Sequence, residues 1–441
     1  MKPNLLASLL AGIAAAGMTP SAGAVGPDDA RSIGLGGSAI ANGQGVMGAL
    51  QNPSSLLEMQ RQGKTSHTYF GAVVDLRTPE GTQDLIDDES DEHLVDDLET
   101  EFDLLDERVI TCDASLESND DVCLDDLENF NDLGNRLLRI IDLADGNDFA
   151  GQGHAGIGVA LTGGPVPLAI HFGARVTGIA TAEIDPGDRE YVATFEEITD
   201  DGTITWGEVL DSSYLVQNGN LLTVNQPQDT LLSTGESAVL YRTELSVALA
   251  RSFGLGKRTL DVGITPKISQ LKAQSADVAL AEEFERDTAS ISDRLEDSEV
   301  SETSFTLDVG FGTRLDPLPL RLSAVVRNLV PESIETRSGY EFETTPQLII
   351  GGHYELGNVD LTTDLALNSA TVDGIDTRIA AIGIEHQGSV VALRAGLSID
   401  SERDVDETAI SLGLGLGPLQ FSARATGEDA LQAGAQLSWS F

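Results

Sequence analysis

Two-residue alternation of apolar and polar side chains, repeated along most of the chain, is the feature that most restricts what this sequence can become. At the C-terminus Leu431, Ala433, Ala435, Leu437, Trp439 and Phe441 fall on one strand face, and Gln432, Gly434, Gln436, Ser438 and Ser440 on the other. The pattern recurs upstream. Leu419, Phe421, Ala423 and Ala425 oppose Gln420, Ser422 and Arg424, and Val391, Leu393, Ala395, Leu397 and Ile399 oppose Ala392, Arg394, Gly396 and Ser398. Further runs centre on Leu361, Val309, Leu245 and Phe172. Each spans roughly the 9–11 residues that a tilted strand needs to cross hydrocarbon. About fourteen such runs lie between Lys64 and Phe441, an even number as single-chain bacterial barrels require.

Sandwich strands also alternate, so the connections must decide between the two folds. Four are long: Thr78 to Gly151, Glu183 to Ser237, Ala276 to Glu302 and Pro331 to Thr345. The inward ones are tight and rich in Gly and Pro: Gly163-Gly164-Pro165, Gly254 to Lys257, Asp316-Pro317-Leu318-Pro319, Gly357-Asn358, Gln387-Gly388 and Gly417-Pro418. Long outer loops sorted against short periplasmic turns mark an outer-membrane barrel, whereas a soluble sandwich has no cause to sort its loops. The predicted fold is therefore all-β: a transmembrane antiparallel outer-membrane barrel with an N-terminal plug and a partly helical long extracellular loop. Leu437, Trp439 and Phe441 form a terminal aromatic signal of the kind read by the barrel-assembly machinery. Against this stands an aromatic content of 5 %, thin for the girdles such barrels carry.

Composition agrees with a barrel and excludes other classes. A hydrophobic fraction of 41 % and a mean hydropathy of −0.05 are too polar for a bundle of membrane helices, but a barrel dilutes its apolar signal by half. The net charge of −46 argues against a nucleic-acid partner. It suits either a high-salt habitat or acidic outer loops that meet cations and lipopolysaccharide.

The N-terminus reads as an export signal: Lys2, an apolar stretch from Leu5 to Gly17, and a small-x-small site at Ala22-Gly23-Ala24. The expected division is residues 1–24 signal peptide, 25–63 plug and 64–441 barrel, with 78–151 as the acidic outer loop. About a third of all Asp and Glu fall in that loop. Leu94, Leu98, Phe102 and Leu105, and then Leu124, Leu127, Leu133, Leu137 and Ile141, recur at helical spacing. They predict two amphipathic helices, which either pack on each other over the barrel mouth or form a groove for hydrophobic ligands. Cys112 and Cys123 lie between them and would close a small disulfide loop in an oxidising compartment.

Catalytic signals are missing. There is no P-loop, HExxH or G-x-S-x-G, the six histidines are scattered, and Gly34, Gly36 and Ala39 match a dinucleotide loop without the strand that must precede it. No metal or cofactor is expected, and an outer-membrane lipase ranks behind the non-enzymatic readings. The alternation does send charge inward. Arg175, Arg242, Glu244, Asp308, Arg321, Arg327, Asp360, Asp364, Glu385, Arg394 and Arg424 all fall on the polar face. Two uses are open to them: a ladder of Arg–carboxylate pairs holding barrel and plug, or a path for anionic or amphipathic solutes.

The stretch Ala30-Arg31-Ser32-Ile33-Gly34-Leu35-Gly36-Gly37, followed by Ala41 and Gln51-Asn52-Pro53-Ser54-Ser55-Leu56, resembles the N-terminal pattern of the FadL-type fatty-acid transporter superfamily. The acidic helical insert looks most like the conjugal-transfer TraF-type outer-membrane family within it. The resemblance implies that Gly34, Gly36, Gly37, Asn52 and Pro53 shape a plug inside a barrel. Ser54 stands where Ala is usual, and no ligand-binding residue carries over. The implied function is envelope transport of hydrophobic or amphipathic solutes, or an envelope component associated with conjugal transfer. The alternative is a structural or adhesin-like barrel with cation-binding acidic loops. Expected partners are outer-membrane lipids, lipopolysaccharide and the assembly machinery, with a hydrophobic ligand or conjugation-apparatus proteins beyond these.

Overall fold

The computed structural model describes residues 29–77, 148–186, 215–218, 221–224, 233–256, 258–279, 291–402, 408–426 and 430–441. The export signal, the loop helices and Cys112 and Cys123 lie outside the described residues.

Fourteen antiparallel strands close into a barrel. In order they are β1 (Ser66–Arg77), β2 (Asp148–Leu161), β3 (Leu168–Glu183), β6 (Thr234–Leu255), β7 (Arg258–Ala279), β8 (Val300–Arg314), β9 (Leu320–Arg327), β12 (Gln347–Leu356), β13 (Val359–Ala366), β16 (Ile379–Gln387), β17 (Val391–Asp400), β18 (Thr408–Leu416), β19 (Leu419–Thr426) and β20 (Ala430–Ser440). The ring closes where β1 pairs with β20, from His67 opposite Ser440 to Arg77 opposite Ala430. The barrel sheet itself has no unpaired edge, as lipid demands. Among the described residues, three two-stranded hairpins are not part of the ring: β4 (Leu215–Asn218) with β5 (Leu221–Val224), β10 (Glu332–Glu335) with β11 (Glu341–Thr344), and β14 (Ala370–Val372) with β15 (Ile375–Thr377).

The wall is inverted relative to a soluble protein. Phe70, Ile157, Phe172, Leu245, Phe305, Ile384 and Leu412 stand exposed on its outside, while Arg242, Asp308, Glu385, Arg394 and Arg424 are buried inside. Each alternating run of the sequence keeps its predicted faces, from Phe172 out and His171 in on β3 to Leu431 out and Gln432 in on β20. An exposed apolar belt on this scale needs lipid around it, so the chain is an outer-membrane β-barrel. Among the described residues no helix is long and apolar enough to cross a membrane; the crossing is made by strands. β6 and β7, each of 22 residues, are about twice the crossing length and project beyond the hydrocarbon.

Residues 29–63 sit inside the bore. Three short helices, α1 (Ala30–Gly34), α2 (Gly45–Gln51) and α3 (Ser55–Arg61), carry buried residues along their length. α1 is closed by a capping box in which the Asp29 carboxylate accepts from the Ser32 amide at 2.7 Å and the Ser32 hydroxyl bonds back to Asp29. It lies against β17 to β20, whereas α2 lies against β1, β2, β3 and β6. The two helices thus span eight consecutive strands across the seam where the ring closes.

Candidate functional site: the plugged lumen

Plug and wall meet on two unlike surfaces. Toward β1–β6 the contact is apolar: Val46, Met47, Leu50, Leu56, Leu57 and Met59 pack on Tyr69, Ala160, Ala169, Ala248 and Ala250. Alanine on the inner face makes room for helices that a larger side chain would expel. Glycine serves the same end across the bore. A β-carbon on Gly396 would lie 2.2 Å from the Gly36 amide nitrogen, and one on Gly310 2.1 Å from the Asn52 side-chain oxygen. Gly36 also has a φ of 72°, open to glycine and strained for other residues.

Toward β7–β20 ion pairs are added to an apolar contact of Ile40 with Val325, Ile349 and Ala366. The Arg31 guanidinium reaches Glu385 at 2.5 Å, and Arg394 donates to the same carboxylate at 2.8 Å. Arg61 binds Asp261 at 2.5 Å. Glu58 accepts from Arg314 and lies 3.5 Å from Arg321. Asp364 accepts the Ala39 amide at 2.6 Å and the Ile40 amide at 3.0 Å. Burial alone would raise the Glu58 carboxyl; the Arg314 hydrogen bond and the charges of Arg321 and Arg61 outweigh it and hold the pKa below the ordinary carboxylate range. Burial would likewise lower the Arg31 pKa, and Glu385 more than reverses that. Asn52 ties plug to wall without charge. Its amide donates to Ile40 O at 3.0 Å and Phe311 O at 3.2 Å, while its oxygen accepts the Ser54 amide at 3.0 Å. Pro53 lies within van der Waals reach of Gly263 and Gly310.

The outer half of the bore holds a second seal. Arg242 donates to Glu332 at 2.6 Å and to Asp373 at 2.6 Å, and Arg175 reaches Asp373 at 3.3 Å. Glu332 belongs to the β10–β11 hairpin and Asp373 to the β14–β15 turn, so both hairpins fold inward onto wall arginines. Burial would raise the Asp373 carboxyl, but Arg242 and Arg175 pull it below its ordinary value. Above this polar layer Ile334 and Phe342 of the hairpin pack on Ile179, Leu240 and Leu271 of the wall. Between the two seals Lys267 pairs with Asp308 at 2.7 Å.

The lumen charges expected from sequence thus divide into groups. Arg175 and Arg242 serve the outer seal. Arg321, Asp364 and Arg394 meet the plug, and Arg327 donates weakly to Gln51 O at 3.5 Å. Glu244 accepts from Ser246 at 2.5 Å. Asp360 stands at the turn end of β13, 3.5 Å from His353. Arg424 has the Ser398 hydroxyl at 2.6 Å. Gly34 packs on Gly413, and Gly37, with φ 91°, faces Arg424. On the terminal strand Leu437 is half-buried, and Trp439 and Phe441 are exposed. Sequence reasoning passed over Glu58, Arg61, Asp261, Arg314, Lys267, Glu332 and Asp373. Two signals were available. Glu58 is an acid among Leu56, Leu57 and Met59, and Asp373-Gly374 is a hairpin dipeptide. Among the described residues no three His, Cys, Asp or Glu side chains stand together as a metal site.

A closed fourteen-stranded wall, an apolar outer belt and an ion-paired N-terminal plug define a plugged outer-membrane barrel. The chain belongs to the family described as F plasmid transfer operon, TraF, protein, whose model matches residues 49–365. Among solved structures it is similar to the Ralstonia pickettii toluene transporter TbuX, at 11 % identity and a TM-score of 0.47 over 94 % of this chain and 98 % of that one. It is also similar to the P. putida toluene transporter TodX, at 10 % identity and a TM-score of 0.37 over 92 % and 95 %. No curated protein matches the chain.

Proposed function

We propose that this barrel passes a hydrophobic or amphipathic solute across the outer membrane, with the plug and the inward hairpins as its two barriers. The observation that carries the reading is the lining of the outer bore. Ile179, Leu240 and Leu271 project inward, where a water-filled pore is lined with polar residues. They form an apolar wall whose cover, Ile334 and Phe342, sits on a hairpin held by side-chain contacts. Withdrawal of that hairpin would open an apolar receptor to the outside. The non-enzymatic reading and the association with conjugal transfer, suggested by the family's description, complete the proposal. Conjugation-apparatus proteins, lipopolysaccharide and the assembly machinery are its proposed partners. A structural or adhesin-like barrel is the second reading, favoured by the ion pairs that close the bore at both levels.

A reversible tether separates the two. The Ser338 hydroxyl donates to Glu236 at 2.7 Å, joining the hairpin to the wall. In a Cys112→Ser, Cys123→Ser background, Ser338→Cys with Glu236→Cys locks the hairpin when oxidised. Proteoliposomes should take up an apolar fluorophore slowly in the oxidised form and recover on reduction. Uptake no faster than through empty vesicles in both states would sink transport and leave the structural role.

A further inference from the structure

Most buried arginines of the lumen have a carboxylate: Arg31 and Arg394 share Glu385, Arg242 has Asp373 and Glu332, and Arg321 faces Glu58. Arg424 does not. It projects inward from β19 and is 8 % exposed, and its partner is the Ser398 hydroxyl at 2.6 Å. Its Nη1 has no hydrogen-bond partner among the described residues. Asp75 is also buried on an inward face, but β20 separates the two, with Gln432 opposite both Arg424 and Asp75. Two strand spacings amount to about 10 Å. An uncompensated guanidinium in a bore is costly, and buried charge in folded proteins is normally matched.

The surroundings are built of donors. Ser411 stands directly opposite Arg424 on β18 and is 1 % exposed, with its hydroxyl unpartnered. Ser422, two residues back along the same inward face, is 9 % exposed and also has an unpartnered hydroxyl. The plug side is open. A β-carbon at Gly37 would come no nearer than 3.9 Å to Arg424 Nη1 and would meet nothing else within 4 Å. One guanidinium edge and two free hydroxyls, facing a glycine, form a cradle with positive charge and no anion among the described residues.

We infer that Arg424, with Ser411 and Ser422, binds a small oxyanion at the junction of plug and wall, either a free anion or the head group of an amphipathic solute. The carboxylate or phosphate oxygens would take the vacant Nη1 proton and the serine hydroxyl protons. In a chain of net charge −46 such a site selects for anions locally against a repulsive surface, so occupancy would depend on ionic strength. The site stands independently of whether solute crosses the bore, because it is defined by binding at equilibrium.

The test is calorimetric titration of the full-length barrel in a neutral detergent at fixed chloride, with acetate, inorganic phosphate and octanoate as separate probes. Wild type should bind at least one. Arg424→Gln should weaken that binding by about tenfold or more, as loss of a charge-assisted hydrogen bond does, and Arg424→Lys should retain part of it. Heat-modifiable gel migration confirms that each variant is a folded barrel, and Ser411→Ala gives a second variant that keeps the charge and should weaken binding more mildly. Acetate or phosphate binding as tightly as octanoate identifies a free-anion site; octanoate alone identifies a head-group site. No binding of any probe to wild type, or equal binding to wild type and Arg424→Gln, would overturn the assignment.

Discussion

Glu385 illustrates how much a single residue holds in this bore. One carboxylate, 1 % exposed, neutralises Arg31 of the plug and Arg394 of the wall. Glu385→Gln strands two buried guanidiniums, and removing one partner of a buried pair typically destabilises by about 3–5 kcal/mol. The variant should unfold at lower denaturant concentration than wild type, read by the loss of heat-modifiable migration, and its plug should be cleaved earlier in limited proteolysis. An unchanged midpoint would mean that solvent reaches the pair. Gly396 is constrained by space instead. Gly396→Ala places a methyl 2.2 Å from the Gly36 nitrogen, so α1 must shift. Such overpacking costs about 1–3 kcal/mol, and planar-bilayer recordings should show raised basal conductance.

At the scale of elements, α3 and the two inward hairpins are held by carboxylates whose titration has a definite sign. The folded-state pKa of Glu58 is lowered, so its contribution is fully present above the ordinary carboxylate pKa and is lost as pH falls through the lowered value. Protease access to the plug should therefore rise as pH drops below about 4. Glu58→Gln should be looser at neutral pH and flatter across that acid window. Asp373 obeys the same sign with Arg242 and Arg175 as partners. Asp373→Asn should free the β14–β15 hairpin and weaken the hold on β10–β11, raising hydrogen exchange in residues 332–344 while the barrel strands stay protected. Exchange equal to wild type would place the seal in the apolar contact of Phe342 and Ile334.

For the whole molecule, closure and solvation dominate. The Phe441 carbonyl accepts the Thr65 amide at 2.8 Å, and its own amide donates to Ser66 O at 2.9 Å, so the last residue is stitched to the first strand. Deleting Phe441 removes both the terminal aromatic and those bonds. The yield of folded, heat-modifiable barrel in the outer membrane should fall several-fold, with the unfolded chain accumulating in the periplasm.

The strands, their faces, their number and the sorting of their connections were legible in the sequence. Each depends on near-neighbour periodicity: a strand's two faces differ at consecutive positions, and one face must meet lipid. That Gly36, Gly37, Asn52 and Pro53 belong to one compact N-terminal unit was legible by resemblance, and that arginines such as Arg242 and Arg394 point inward followed from alternation. Partners were not legible. Arg31 and Glu385 are 354 positions apart, and which carboxylate meets which guanidinium depends on strand stagger and on where the plug comes to rest. Pro331 to Thr345 reads as an outward loop, yet Glu332 and Phe342 turn it back into the bore. Local sequence set which residues could face the lumen. Only closure of the ring, which brings distant strands to opposite sides of one cavity, decided that Glu385 is shared, that Asp373 locks two hairpins, and that Arg424 has no carboxylate of its own among the described residues.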